Sequence, residues 1–270
     1  VSLRAICSKT ISVNPVILSK GNPFIASKCK KTKRTQFSIL QNHRKTLSPN
    51  AFCLLPNAWH YKNEPIVLGY DLLNEPIAHY FDASVLNPLL EPLYKRIVKA
   101  VRLEDKNHLI FLGGAQWDSN FKIFGAPFDS KLVYTFHKYW TATTIDVIQE
   151  YIDFRDKYQV PIYCGETGEN TDEWVMQFRK LMDEQHIGWH YWPYKKMDNT
   201  RGIVSFPRPE TYQMVIDFAD TTRTTYEQIR KVSPVDKKAM QQALDGFLEN
   251  CLFKNCTGNK GYIEALGFRE

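Results

Sequence analysis

The chain has 270 residues, 43% of them hydrophobic and 24% charged, with a net charge of +6; this is enough for one large domain with a sizeable core. No apolar run reaches the roughly 18 residues of a membrane-spanning helix and no repeat period is visible, which excludes a helical membrane span, a coiled coil and a repeat array. The charge is uneven: residues 1–63 hold eleven of the 35 Lys and Arg and no Asp or Glu, and the remaining 24 basic residues face 29 acidic ones.

Residues 1–63 therefore read as a basic segment apart from residues 64–270. The run Lys28-Cys29-Lys30-Lys31-Thr32-Lys33-Arg34 fits a nucleic-acid patch, and the lack of acids with abundant Ser fits a transit peptide. A truncated or aberrant start, or a divergent strand–helix stretch, accounts for the same composition. The apolar stretch Pro15-Val16-Ile17-Leu18 is too short for the core of a secretory signal.

From residue 65 strands and helices alternate. Residues 66–73 form a nearly continuous apolar run, as a strand in a buried parallel sheet does. A helix is expected over 84–102, with Pro88 and Pro92 disturbing its first turns. Strands follow at 109–113 and 132–136, a helix at 144–158 and a strand at 160–165. A helix over 172–186 starts at Asn170, three residues before Glu173, in the manner of a capping box. Its apolar stripe includes Trp174, which reads as a core residue. A fifth strand is expected at 187–192, then helices at 209–219 and 235–252. Along 189–191 only one face of the strand can point inward, and the sequence does not fix which. This order implies a parallel α/β fold. With no G-x-G-x-x-G and no P-loop, a (β/α)8 TIM barrel is favoured over a nucleotide-binding sheet.

Of the six cysteines, none forms a C-x-x-C pair, and no H-E-x-x-H or His/Cys cluster has ligand spacing, so no metal and no cofactor is expected. Cys164 reads as core; Cys251 and Cys256 are near enough in sequence to pair in an oxidising compartment.

Four strands end in polar and aromatic residues: Asn74-Glu75-Pro76, His137-Lys138-Tyr139-Trp140, Gly165-Glu166-Thr167-Gly168 and Trp192-Pro193-Tyr194-Lys195. In a barrel all strand ends meet on one face. Two carboxyl groups with flat aromatic rings are the ingredients of glycoside hydrolysis: one acid protonates the leaving oxygen, and the other attacks the anomeric carbon, or activates water in an inverting reaction. Glu169, three residues past its strand, is read as a capping or pairing acid. Lys195 and Lys196 are read as solvated, with contact to a substrate hydroxyl as the alternative.

These motifs, with Gly69-Tyr70-Asp71-Leu72-Leu73 and Gly188-Trp189-His190-Tyr191 before them, resemble glycoside hydrolase family 5, the cellulase family, over about residues 61–270. The resemblance implies a retaining mechanism with Glu75 as acid/base and Glu166 as nucleophile, about 5–5.5 Å apart. It implies that Asn74 binds the sugar 2-hydroxyl, that Tyr139 donates to Glu166, that His137 holds the proton network and that Trp192 floors the −1 subsite. Trp140 and Trp117 are candidate sugar platforms or loop packing. The family's pattern places residues 64–270 from the fourth strand onward, with 1–63 standing where three more strand–helix units are required. An Arg and a His of the early strands find no matching motif, although Arg34, Arg44, His43 and His60 are present, and Ala58–Lys62 reads as the tail of the third helix. The expected function is a secreted, monomeric endo-β-1,4-glucanase acting on β-linked glucan. A β-mannanase or other β-glycanase is the alternative within the family. An inactive or carbohydrate-binding barrel fragment, and a nucleic-acid binder resting on residues 28–34, are the alternatives outside it; no nucleic-acid partner is expected.

Overall fold

A computed structural model describes the backbone of residues 15–17 and residues 56–220, 225–231 and 236–268. The basic run at 28–34 and Arg34, His43 and Arg44 lie outside the described residues. The chain divides into two compact units, Val1–Lys138 with Thr144–Gly165, and Tyr139–Thr143 with Glu166–Glu270.

In the first unit β1 (Pro15–Ile17) pairs antiparallel with β2 (Val67–Asp71), and α1 (residues 56–61) lies between them in the chain. β2 pairs parallel with β3 (Leu109–Gly113), and β3 parallel with β4 (Leu132–Tyr139). Tyr134 N–H donates to the Pro161 carbonyl just before β5 (Ile162–Gly168), which follows β4 in the strand order. Gly69 is required here: a Cβ would lie 2.3 Å from the Leu109 carbonyl oxygen. Parallel strands alternating with helices give the fold class of a partial (β/α) barrel.

α2 (Ala83–Glu104) runs unbroken through Pro88 and Pro92, contrary to the expected disturbance. Asp82 caps it by accepting from Ser84 N–H at 3.0 Å. Its face of Leu86, Leu90, Leu93, Tyr94, Ile97 and Val101 is fully buried, and that burial outweighs the lost backbone bonds at the two prolines. Phe121 centres an aromatic core, with ring centroids 4.7 Å from Tyr151, 5.3 Å from Phe154 and 5.4 Å from Phe124. The helix expected over 144–158 opens with a 3₁₀ turn, Ile145–Val147, before α3 (Gln149–Tyr158).

A buried polar cluster lies before β3. Asp105 accepts from the Tyr70 hydroxyl at 2.6 Å and from the Asn107 and His108 N–H groups, and pairs with His108 Nδ1 at 2.6 Å. Arg102 grips Asp129 through two nitrogens at 2.9 and 3.0 Å.

In the second unit α4 (Asp172–Glu184) is capped by Thr171, whose hydroxyl accepts from Trp174 N–H at 3.3 Å. The expected Asn170 cap is one residue early; its side chain accepts from Thr171 N–H instead, forming the turn that precedes the cap. Trp174 stacks on Phe178 at 4.7 Å and donates its indole N–H to the Thr141 carbonyl. In β6 (Gly188–Trp192) Tyr191 is buried against Val175 of α4 and against Tyr262 and Ala265 of α8 (Lys260–Ala265). The period of two then puts His190 and Trp192 together on the opposite, exposed face. α5 (Gln213–Asp220), α6 (Tyr226–Lys231) and α7 (Lys237–Asn250) precede α8 in the chain. A small sheet of β7 (Lys195–Met197), β8 (Val204–Phe206) and β9 (Thr257–Gly258) has no counterpart among the expected elements; strands of two or three residues carry no readable alternation. Cys164 is buried, and Cys251 and Cys256 are both free thiols.

Candidate active site

Two groups of polar side chains stand where strands end, one in each unit. In the first unit the chain leaves β2 through Leu72, whose N–H still bonds the Phe111 carbonyl, and turns at Asn74-Glu75. Glu75 has a φ of +46° and Ile77 one of +60°. A left-handed backbone at a non-glycine residue costs on the order of 1–3 kcal/mol, and such outliers collect at functional sites. The Glu75 carboxylate is partly exposed, and Asn74 beside it is exposed.

Glu75 does not stand alone. His137, buried in β4, places Nδ1 3.2 Å from Glu75 Oε1 and Nε2 3.2 Å from Asp118 Oδ2. The same Asp118 oxygen accepts the Glu75 backbone N–H at 3.4 Å. One imidazole thus bridges two carboxyl groups, and one of these also holds the backbone of the other.

Asp118 reaches this position through an unusual loop. Gln116, Trp117 and Asp118 have consecutive φ values of +49°, +59° and +59°. The loop is closed by a bridge between Ala115 and Asn120, and the buried Gln116 side chain bonds Asn87 and Asn120. Asp118 is thereby turned inward, 0% exposed, against Gly113, where a Cβ would sit 2.0 Å from Oδ1. Burial pushes its carboxyl well above the usual range; His137 pulls it down, and Asp71 and Glu75 push it up. The same turn points Trp117 outward, 40% exposed, with its ring 4.7 Å from His79 and 6.4 Å from Tyr80.

In the second unit Tyr139, the last residue of β4, donates its hydroxyl to Glu166 Oε2 at 3.0 Å. Glu166 belongs to β5 itself, so its backbone is held by the strand. Trp140, with φ +50°, lies 5.4 Å from the Tyr139 ring and is largely exposed. Trp192 ends β6 with half its surface exposed, followed by a cis peptide to Pro193. Glu169, with φ +51°, forms an ion pair with Lys196, and Lys195 donates to the Cys251 carbonyl; neither lysine is merely solvated.

Of the residues singled out in the sequence, Asn74, Glu75, His137 and Trp117 lie in the first unit, and Tyr139, Trp140, Glu166 and Trp192 in the second. Glu75 meets His137, and Tyr139 meets Glu166. The residue that sequence reasoning missed is Asp118. It sits in no motif, and only the left-handed turn brings it to His137.

A family model described as cellulase (glycosyl hydrolase family 5) matches residues 56–198. An endoglycoceramidase of Hydra vulgaris is 27% identical over 189 residues, which cover 61% of this chain and 35% of that protein. Endoglucanase C of Acetivibrio thermocellus is 25% identical over 203 residues, covering 52% of this chain and 57% of that protein. The chain thus spans between about a third and somewhat over half of these curated relatives. In fold it is similar to Thermotoga maritima Cel5A crystallised with mannotriose, with a TM-score of 0.53 at 18% identity over 85% of this chain and 69% of that one.

Proposed function

Because the chain belongs to glycosyl hydrolase family 5, the cellulase family, we propose that it is a retaining endo-β-1,4-glucanase acting on β-linked glucan. The observation that carries this reading is the pair of differently supported carboxyl groups. Glu166 receives a hydroxyl hydrogen bond from Tyr139, which suits a group that must be ionised and aimed. Glu75 faces an imidazole, which suits a group that must gain and lose a proton.

The proposed reaction has two steps. Glu75 gives its proton to the glycosidic oxygen while Glu166 attacks the anomeric carbon; the C–O bond to the leaving sugar breaks and a glycosyl ester on Glu166 forms. Glu75, now a carboxylate, then takes a proton from water, whose oxygen attacks the same carbon and releases Glu166. Asn74, next to Glu75, would bond the 2-hydroxyl, and the exposed face of Trp192 would floor the −1 subsite. Trp140 and Trp117 would extend the platform, since sugar C–H faces pack on aromatic rings. With a polysaccharide substrate, the enzyme would act outside the cell.

The test is substitution read with two substrate types. Glu166→Gln abolishes turnover of both. Glu75→Gln lowers kcat/KM on oligosaccharides by about 10²–10⁴-fold, the usual worth of general acid catalysis, and spares kcat/KM on activated aryl glycosides, whose leaving groups need no proton; kcat on the latter falls, since the second step has lost its base. Equal losses of kcat/KM on both substrates would contradict the acid role of Glu75. NMR of the first-formed product should show a retained β anomer.

The similarity to endoglycoceramidase supports a second reading, in which the bond cut joins a glycan to ceramide. The exposed rings of Tyr80 and Trp117 offer an apolar surface in the unit that holds Glu75. Likewise, β-mannan is the alternative glycan. Parallel assays on cello-oligosaccharide, manno-oligosaccharide and a glycosylceramide separate the three.

A further inference from the structure

Asp118 has no place in the family motifs quoted above, yet it is the most deeply enclosed carboxyl group beside Glu75. It is 0% exposed, and its Oδ1 has no hydrogen-bond partner among the described residues. Its Oδ2 meets His137 Nε2 at 3.2 Å and accepts the Glu75 N–H at 3.4 Å. Such a buried acid with one unsatisfied oxygen is costly, and so is the run of three left-handed residues that delivers it.

Resting on the proposed acid/base role of Glu75, we propose that Asp118 is a positioning residue that acts through His137: the Asp118–His137 pair together holds two protons, which keeps an N–H on His137 Nδ1 directed at Glu75 Oε1. One proton lies on the Oδ2–Nε2 contact and the other on Nδ1. Glu75 Oε1 is thereby occupied as an acceptor, and the catalytic proton is left to Oε2. After that proton is transferred, the same N–H stabilises the new carboxylate. The arrangement parallels the general logic of a catalytic base whose imidazole is oriented by a buried acid.

Other charges bear on the same proton. Asp71 of β2 and Glu75 raise the affinity of Asp118 for it, and the buried Tyr94 of α2 and Tyr151 of α3 lie within the field of Asp118. On β5, Gly165 lies close to the imidazole: a Cβ there would stand 3.2 Å from His137 Nε2. In the proposed mechanism the nucleophile adds its own negative charge near Glu75, unaltered by any change at Asp118.

The discriminating variant is Asp118→Asn, which is isosteric. The Glu75 N–H requires an acceptor at the Oδ2 position, so the amide oxygen sits there and Nε2 must carry the ring proton. Nδ1 then has none, and Glu75 loses a donor that favoured its carboxylate form. The kcat/KM on oligosaccharides should fall by about 10–100-fold, the worth of one hydrogen bond to a charged group, with that on activated aryl glycosides much less affected. The basic limb of kcat/KM should move to higher pH by about one unit, because a lost hydrogen bond to the charged form raises a carboxyl pKa. Equal losses on both substrates with an unmoved limb would reduce Asp118 to a packing role and overturn the proposal. Should the variant fail to fold, ¹⁵N NMR of the native protein decides: a protonated His137 Nδ1 at neutral pH is expected, and a bare Nδ1 overturns the proposal. Glu75→Gln measured alongside keeps the two readings apart. If that variant spares kcat/KM on aryl glycosides while Asp118→Asn leaves the limb in place, only the role of Asp118 fails; if it lowers kcat/KM on both substrates equally, the acid reading fails and this proposal with it.

Discussion

Tyr139 and Glu166 form a contact whose worth can be measured directly. A hydrogen bond to a charged group contributes about 1.5–3 kcal/mol. Tyr139→Phe removes one hydroxyl and nothing else, so kcat should fall by about 10–100-fold with KM little changed. An unchanged kcat would show that this hydroxyl does not support the reacting carboxylate. At this scale the sequence was informative where chemistry and chain position coincide. Asn74-Glu75-Pro76 and Gly165-Glu166 were readable because a carboxylate following an apolar run is unusual. Asp118 was not readable, because its role depends on three consecutive positive φ angles that residue types alone do not announce. His190 and Trp192 could be assigned a face only once Tyr191 was seen against α4 and α8.

The elements position these residues through backbone approach and aromatic packing. Gly69 lets β2 lie against β3, and a methyl group there would meet the Leu109 backbone carbonyl, which cannot move aside without breaking the pairing. Gly69→Ala should lower the unfolding free energy by about 1–3 kcal/mol in a denaturant titration, the usual cost of overpacking; no loss would mean that the strands can part freely. Phe121→Ala opens the ring cluster beneath α3 and should cost about 3–5 kcal/mol by the same titration. α2 and α4 were legible in the sequence because their apolar periods are long, and β3 because it is an unbroken apolar run; all three fall within a few residues of expectation. The small sheet β7–β9 was not, since so few residues cannot show a period. Nor was the extension of β4 to Tyr139 and of β5 to Gly168, where polar residues continue the strand past the end of its apolar run.

Across the whole molecule, buried acids tie stability to pH. Burial raises the Asp105 carboxyl, but the hydrogen bonds from Tyr70, Asn107 and His108 outweigh it and hold the group below its ordinary value. The Arg102 hydrogen bonds hold Asp129 low as well. A depressed folded pKa contributes stability that is present above the unfolded value of about 3.9 and is lost as pH falls through the folded one. Tm should therefore drop as pH falls below about 4, and Asp105→Asn, already lacking that charge, should be less stable at neutral pH and show a shallower drop. An equally steep acid limb in the variant would remove Asp105 from the account. The fold class was legible from alternation alone, and the family from four motifs in order; the substrate was not, and no sequence pattern fixes the exposure of surface rings such as Tyr80, Trp117 and Trp140.

The central claim is that Glu166 is the nucleophile of a retaining hydrolase. Incubation with an activated 2-fluoro cellobioside traps a glycosyl-enzyme, which intact mass and peptide mapping then locate. The account predicts one adduct per chain, on the peptide carrying Glu166, and none in Glu166→Gln. An adduct on Glu75 or Glu169, or hydrolysis of cello-oligosaccharides with an inverted product, would contradict it.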